Sequence, residues 1–138
     1  MSGIISDLRD ALEVRLKTIS GLEVLDHMPD GFPVQPIATI HPPGPRPRQT
    51  FAGAHLYRFD IELRLSGVVP GDMWAALDTY LAPTGSSSIE AAIDGDKTLD
   101  GNAAYAVVLP EEIEVERDQM AQGGAWFYQA LIPVEVSA

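Results

Sequence analysis

The sequence predicts an α+β domain: a mostly antiparallel β-sheet with an N-terminal helix and two central helices packed on one face. Three observations predict it. An apolar stripe at three- and four-residue steps opens the chain. Two later runs, 57–65 and 125–136, alternate apolar and polar residues with period two. Between those runs lie two helical patterns bounded by Pro, Gly and Ser. Helix, strands, two helices and strands within 138 residues fit a single domain spanning 1–138.

Ser2 to Ile19 reads as the first helix, with Ile5, Leu8, Leu12, Leu16 and Ile19 on one face. Ser2 or Ser6 caps its start, and Gly21 stands where it stops. Leu22 to Leu25 is a short strand, and Pro29, Asp30 and Gly31 make a turn after it. Val34 to His41, rich in β-branched residues, is the next strand. A Pro-rich loop at 42–49 follows. Its core, Pro42 to Arg48, has four prolines in seven residues, which removes ladder donors and imposes an extended, polyproline-like path.

In the strand Tyr57 to Leu65, Tyr57, Phe59, Ile61, Leu63 and Leu65 face one way, and Arg58, Asp60, Glu62 and Arg64 the other. Its start extends as far back as Thr50. Asp72 caps a helix from Met73 to Leu81, with Met73, Trp74, Leu77, Tyr80 and Leu81 as its apolar face, stopped by Pro83. Ser86 to Ser88 offer a cap for a short helix, Ile89 to Ile93, closed by Gly95, and Ser87 with Glu90 has capping-box spacing. Thr98 to Asn102 is a turn. Ala103 to Asp118 is a strand bent or bulged near Pro110, with Tyr105, Val107, Leu109, Ile113 and Val115 as apolar positions. Ala125 to Val136 is the last strand, and Pro133 marks a bulge or an edge position in it.

Composition excludes several classes of function. The chain has no cysteine, which removes a disulfide scaffold, a Cys-bound metal and a thiol nucleophile. Its formal net charge is −11, from 20 acidic and 9 basic residues, which argues against a phosphate-gripping surface. The acidity is regional: residues 1–71 sum to −1, whereas 72–118 hold 11 acids and 2 bases, a net of −9. That block is either a solubility device or a surface that repels a polyanion and meets a basic partner. No segment approaches the roughly 20 apolar residues that span a bilayer, and the charged start of the chain does not read as a signal peptide, so the expectation is no membrane.

The chemistry-bearing constellations are few. There is no Gly-x-Ser-x-Gly elbow around Ser86 to Ser88, no phosphate loop and no dinucleotide fingerprint, so the expectation is no enzyme and no cofactor. His27, His41 and His55, with Asp26 or Asp30, are the residues a zinc site or a small enzyme would draw on, although no helix or strand period gathers them. Two segments stand out as contact surfaces. Pro43, Pro45, Arg46, Pro47 and Arg48 form either a spacer or a partner-contact arm. Glu112, Glu114 and Glu116 alternate with Ile113 and Val115 and present one acidic face.

One resemblance draws these pieces together. The helix running into Gly21-Leu22, the strand with its Pro-rich loop and the long strand Leu56 to Leu65 come first. The helix Asp72 to Leu81, the segment Gly85 to Ile93 and the turn Thr98 to Gly101 before a closing pair of strands follow. Together they resemble the tail terminator, or tail-to-head joining, proteins of long-tailed double-stranded DNA phages. The resemblance implies a virion protein, assembled in the host bacterial cytoplasm, that forms a hexameric ring on the tail tube, stops its growth and docks to the head connector. It implies homo-oligomerisation, contacts with tube and connector proteins, and DNA passing without specific binding. It implies no catalytic residues. The alternatives are another phage neck, minor capsid or head-completion protein, or a small enzyme or metal-binding domain.

Overall fold

The structure is a computed structural model and describes residues 4–25, 36–41, 48–49, 55–67, 70–119 and 126–137. Its elements in chain order are α1 (Ile4–Leu16), β1 (Glu23–Leu25), β2 (Ile37–His41), β3 (Arg48–Gln49), β4 (His55–Gly67), α2 (Pro70–Leu81), α3 (Ile89–Asp94), β5 (Tyr105–Val108), a 3-10 turn (Pro110–Glu112), β6 (Glu114–Gln119) and β7 (Trp126–Ser137). The strands form one sheet in the order β1-β2-β4-β7-β5, with β3 continuing beside β4 and β6 continuing beside β7. β1 pairs with β2 in parallel, and the other pairings of the described strands are antiparallel.

The fold class matches the expectation, and the reason lies in strand parity. Tyr57, Phe59, Ile61, Leu63 and Leu65 of β4 stand opposite Val136, Val134, Ile132, Ala130 and Tyr128 of β7, and all ten are buried. Ala38 and Ile40 of β2 extend this apolar face on one side, and Ala106 and Val108 of β5 on the other. The helices cover it with Leu8, Leu12 and Leu16 of α1, Leu77 and Tyr80 of α2, and Ile89 and Ile93 of α3, in one continuous core. Fully burying a residue of this size contributes roughly 1.5–3 kcal/mol.

Several elements depart from the sequence expectation. α2 begins at Pro70, three residues early, so Asp72 lies within its first turn instead of capping it. Proline suits that first position, where its missing N–H has no intrahelical partner to lose. Of the three candidate serines Ser88 caps α3, and not the Ser87 of the capping-box spacing: the Ser88 side chain accepts from Ala91 N at 3.0 Å and donates to the Ala82 carbonyl at 2.5 Å. The same hydroxyl therefore ties the end of α2 to the start of α3. Gly95 closes α3 as expected, and a Cβ there would run into the guanidinium of Arg15.

The expected strand 103–118 is two strands broken by the 3-10 turn. Its first half is out of phase with the expectation: Ala106 and Val108 face the core, while Tyr105 is exposed. Pro133 is neither at an edge nor in a bulge, because β7 is central and Pro133 sits in regular register with Asp60. Its carbonyl accepts from Leu109 N at 2.9 Å, on the side away from β4. The missing donor of Pro133 therefore points into the gap between β5 and β6, where no ladder partner is needed.

Asp96 organises the turn into β5. Its carboxylate accepts from the Thr98 hydroxyl and from the Asp100 backbone N–H, both at 2.8 Å. Leu99, Asp100 and Gly101 are then all left-handed, at φ 50, 58 and 84. Such a conformation costs about 1–3 kcal/mol at a non-Gly residue, and here it turns Leu99 into the core at 1% exposure.

Ser88→Ala should lower unfolding stability by about 1–2 kcal/mol, and Ser87→Ala should stay within about 0.5 kcal/mol of the parent. Urea denaturation of both variants measures the difference.

Candidate functional site

The sheet face opposite the core carries the polar half of the alternation. Arg58, Asp60, Glu62 and Arg64 of β4 lie beside Glu135, Pro133, Leu131 and Gln129 of β7 and, across β2, near Thr39 and His41. Glu62 is buried and held from both sides: His41 Nε2 is 2.8 Å from Oε1, and Arg64 Nε is 2.7 Å from Oε2. A carboxylate taken out of water needs such partners. At the other end of β4, Arg58 Nη1 donates to Glu112 Oε1 at 3.0 Å, and its Nε lies 3.6 Å from Asp60. Burial pulls on the Arg58 guanidinium in the opposite sense, but the hydrogen bond to Glu112 and the charges of Asp60 and Glu112 prevail and raise its pKa.

The acidic triplet is therefore divided. Glu114 and Glu116 lie on β6, opposite Leu131 and Gln129, and so belong to the polar sheet face; both are exposed. Glu112 sits outside the strand, in the 3-10 turn, because Pro110 starts that turn and breaks the alternation. It still reaches the same face through Arg58. The arm residues Pro43, Pro45, Arg46 and Pro47 lie outside the described residues. Arg48, expected to close the loop, is in β3, where it stands opposite Leu56. With His41 opposite Asp60, both ends of the Pro-rich segment are fixed on one edge of β4.

A cleft of about 440 Å³ opens between α1 and the turn after α3, lined by Asp7, Asp10, Val14, Arg15, Asp96 and Asp100 among others. Arg15 is committed to structure there, since its Nε donates to the Ala92 carbonyl at 2.9 Å near the C-terminal end of α3. Among the described residues no three His, Asp or Glu side chains gather as metal ligands. His41 is the partner of Glu62, and His55 stands beside Tyr57 with ring centroids 6.5 Å apart. Asp26, His27 and Asp30 lie outside the described residues.

Sequence reasoning missed the Glu62 cluster, although its position on the wet side of the longest strand, flanked by Arg64, was the available signal. It also placed Trp74 in the buried stripe of α2, whereas Trp74 is 55% exposed, with its ring 5.9 Å from that of Tyr128. Leu77 and Tyr80 define the centre of that stripe, and Trp74 lies on its flank.

No protein-family model matches the chain, and no curated protein matches it. Among solved structures it is similar to a chain described as "Virion of native gene transfer agent (GTA) particle", with 10% identity, 100% of both chains covered and a TM-score of 0.47.

The hydrogen bonds from Thr98 and Asp100, helped by the charge of Arg15, hold the Asp96 carboxyl below its ordinary pKa. A depressed acid stabilises the fold above its unfolded pKa of about 4, and that contribution is lost as pH falls through the folded value. The melting temperature of the parent should therefore fall more steeply below about pH 4 than that of Asp96→Asn, as pH-dependent thermal melts would report.

Proposed function

We propose that this chain is a structural protein of a phage-like virion and, within that class, a tail terminator that caps the tail tube as a hexameric ring and joins it to the head connector. The observation that carries the reading is the block that bears the resemblance. Ser88 to Gly101, the stretch most like that family, folds as a capped short helix, an acidic turn and a lead into a strand, and α3 packs on both α1 and α2. The chemistry of the polar face fits a scaffold: Arg58 and Arg64 are engaged by carboxylates of the same chain, and Glu114 and Glu116 are exposed. In this reading the protein is not an enzyme, needs no cofactor and resides in the neck of the virion. An acidic wall beside the genome repels phosphate and lets DNA pass without gripping it.

The test is assembly. Purified protein mixed with tail-tube subunits should form rings seen on tube ends by negative-stain microscopy, and should stop tube elongation. A protein found at the connector or in the capsid instead, with tube length unaffected, would favour the neck or head-completion alternative. Glu112→Lys, Glu114→Lys and Glu116→Lys together should leave folding intact but cut infectivity at least tenfold. Normal infectivity would remove the channel role from that face.

A further inference from the structure

Among the described residues β6 pairs with β7 alone, which leaves its other side as a border of the sheet. The direction of its backbone groups follows from β7. The Pro133 carbonyl accepts from Leu109 N at 2.9 Å and so points away from β4. β7 keeps unbroken register with β4. The backbone groups of Leu131 and Gln129, two and four residues before Pro133, therefore point the same way. Glu114 and Glu116 stand opposite these two residues and give their N–H and C=O groups to β7. Val115 and Arg117 consequently present theirs outward, as a template for one more strand.

The same register sorts the side chains along this edge. Glu114 and Glu116 are exposed on the polar face, and Val115 stands on the helix side at 39% exposure. In an added antiparallel strand, the residues opposite Val115 and Arg117 exchange hydrogen bonds with them. Those opposite Glu114 and Glu116 form the non-hydrogen-bonded pairs, which bring side chains closest, with Cα atoms about 4.5 Å apart. Opposite charge at such a pair stabilises it, and like charge opposes it. Arg58 and Arg64 of the same face are already engaged, by Glu112 and Glu62. A strand with a base at every second position and apolar residues between them therefore meets both sides of this edge. A second copy of β6 does not. An antiparallel pairing that keeps core side on core side sets positions 114, 116 and 118 against one another, and all three are acidic.

We propose that the outer edge of β6 accepts an extended strand of another protein, antiparallel, with Lys or Arg opposite Glu114 and Glu116 and an apolar residue opposite Val115. Main-chain hydrogen bonds at Val115 and Arg117 supply the attachment, and the two carboxylates select a basic partner. The inference stands on register and charge and does not rest on the tail-terminator reading.

The test uses the full chain and the synthetic peptide KVKVKVK, with EVEVEVE as its charge-reversed control. Titration of KVKVKVK into ¹⁵N-labelled protein should give saturable downfield shifts of the Val115 and Arg117 amides, which gain a hydrogen bond. The Glu114 and Glu116 amides, already held by β7, should move little. Glu114→Lys/Glu116→Lys should weaken KVKVKVK at least tenfold and bind EVEVEVE instead. Val115→Pro keeps every charge and removes an N–H that β7 does not use; it should also bind KVKVKVK at least tenfold more weakly. Circular dichroism melts check that both variants fold, and the charge variant, changed only at exposed positions, decides alone if Val115→Pro does not. No saturable shift with KVKVKVK, equal affinity of the parent for the two peptides, or full binding by folded Val115→Pro would each overturn the proposal, the last by reducing the contact to charge attraction. Self-association of the parent that Val115→Pro abolishes in sedimentation would give the edge to a second copy and overturn it too.

Discussion

Everything in this domain hangs on the pairing of β4 with β7. Those two strands meet in unbroken register from Leu56 opposite Ser137 to Gly67 opposite Trp126, and each neighbouring strand except β1 attaches to one of them. The pairing is long-range: α2, α3, β5 and β6 all lie within the loop it closes. Loop-closure entropy must be met before those contacts reward it. Until β4 and β7 meet, the apolar faces of α2 and α3 have no floor to cover. The parity of this single ladder also sorts the protein into a core side and a polar side, since a one-residue slip would exchange them.

The division explains how the polar face is arranged. Glu62 is buried, so its two basic neighbours are a requirement of desolvation and not an optional surface pair. The Arg58–Glu112 pair is exposed and contributes little stability, under about 1 kcal/mol; its effect is to fasten the 3-10 turn to β4 across the central strand. With His41 and Arg64 held by Glu62 and Arg58 held by Glu112, Glu114 and Glu116 of β6 carry exposed charge on this face. The regional −9 of the sequence thus resolves into parts with different work: Asp96 shapes a turn, Glu112 makes a strut, and Glu114 and Glu116 face solvent.

Much of the fold was legible in the sequence because β4, β7 and α1 have strong periods. Residues 57–65 and 128–136 landed on the sides their alternation assigns, and the stripe of Leu8, Leu12 and Leu16 is buried as read. The errors cluster where two local signals compete. Ser86, Ser87 and Ser88 are equally good caps by type, and only the carbonyl of Ala82 selects Ser88. Tyr105 and Val107 look more strand-like and more apolar than Ala106, yet pairing with Val136 decides which residue faces inward. Pro133 argued for an edge because sequence does not reveal which side of a strand its absent donor faces. On the candidate surface, the exposed carboxylates Glu114 and Glu116 were legible in the alternation of their strand, whereas the exposure of Trp74 was not.

The break opposite Pro133 has one further consequence. The far side of β7 is covered by two short strands, β5 and β6, with a non-ladder turn between them. Hydrogen bonding along that border is therefore not one cooperative zipper. β5 is secured by α3 and the buried Ala106 and Val108, whereas β6 is an edge strand whose helix-side residue Val115 is partly wet. Opening of β6 can stop at the turn without unravelling β5, which makes the border a hinge between a stable and a labile patch. Amide exchange should fall into two classes there, divided by Pro110–Glu112, so that the acidic rim moves while the core beneath it stays closed.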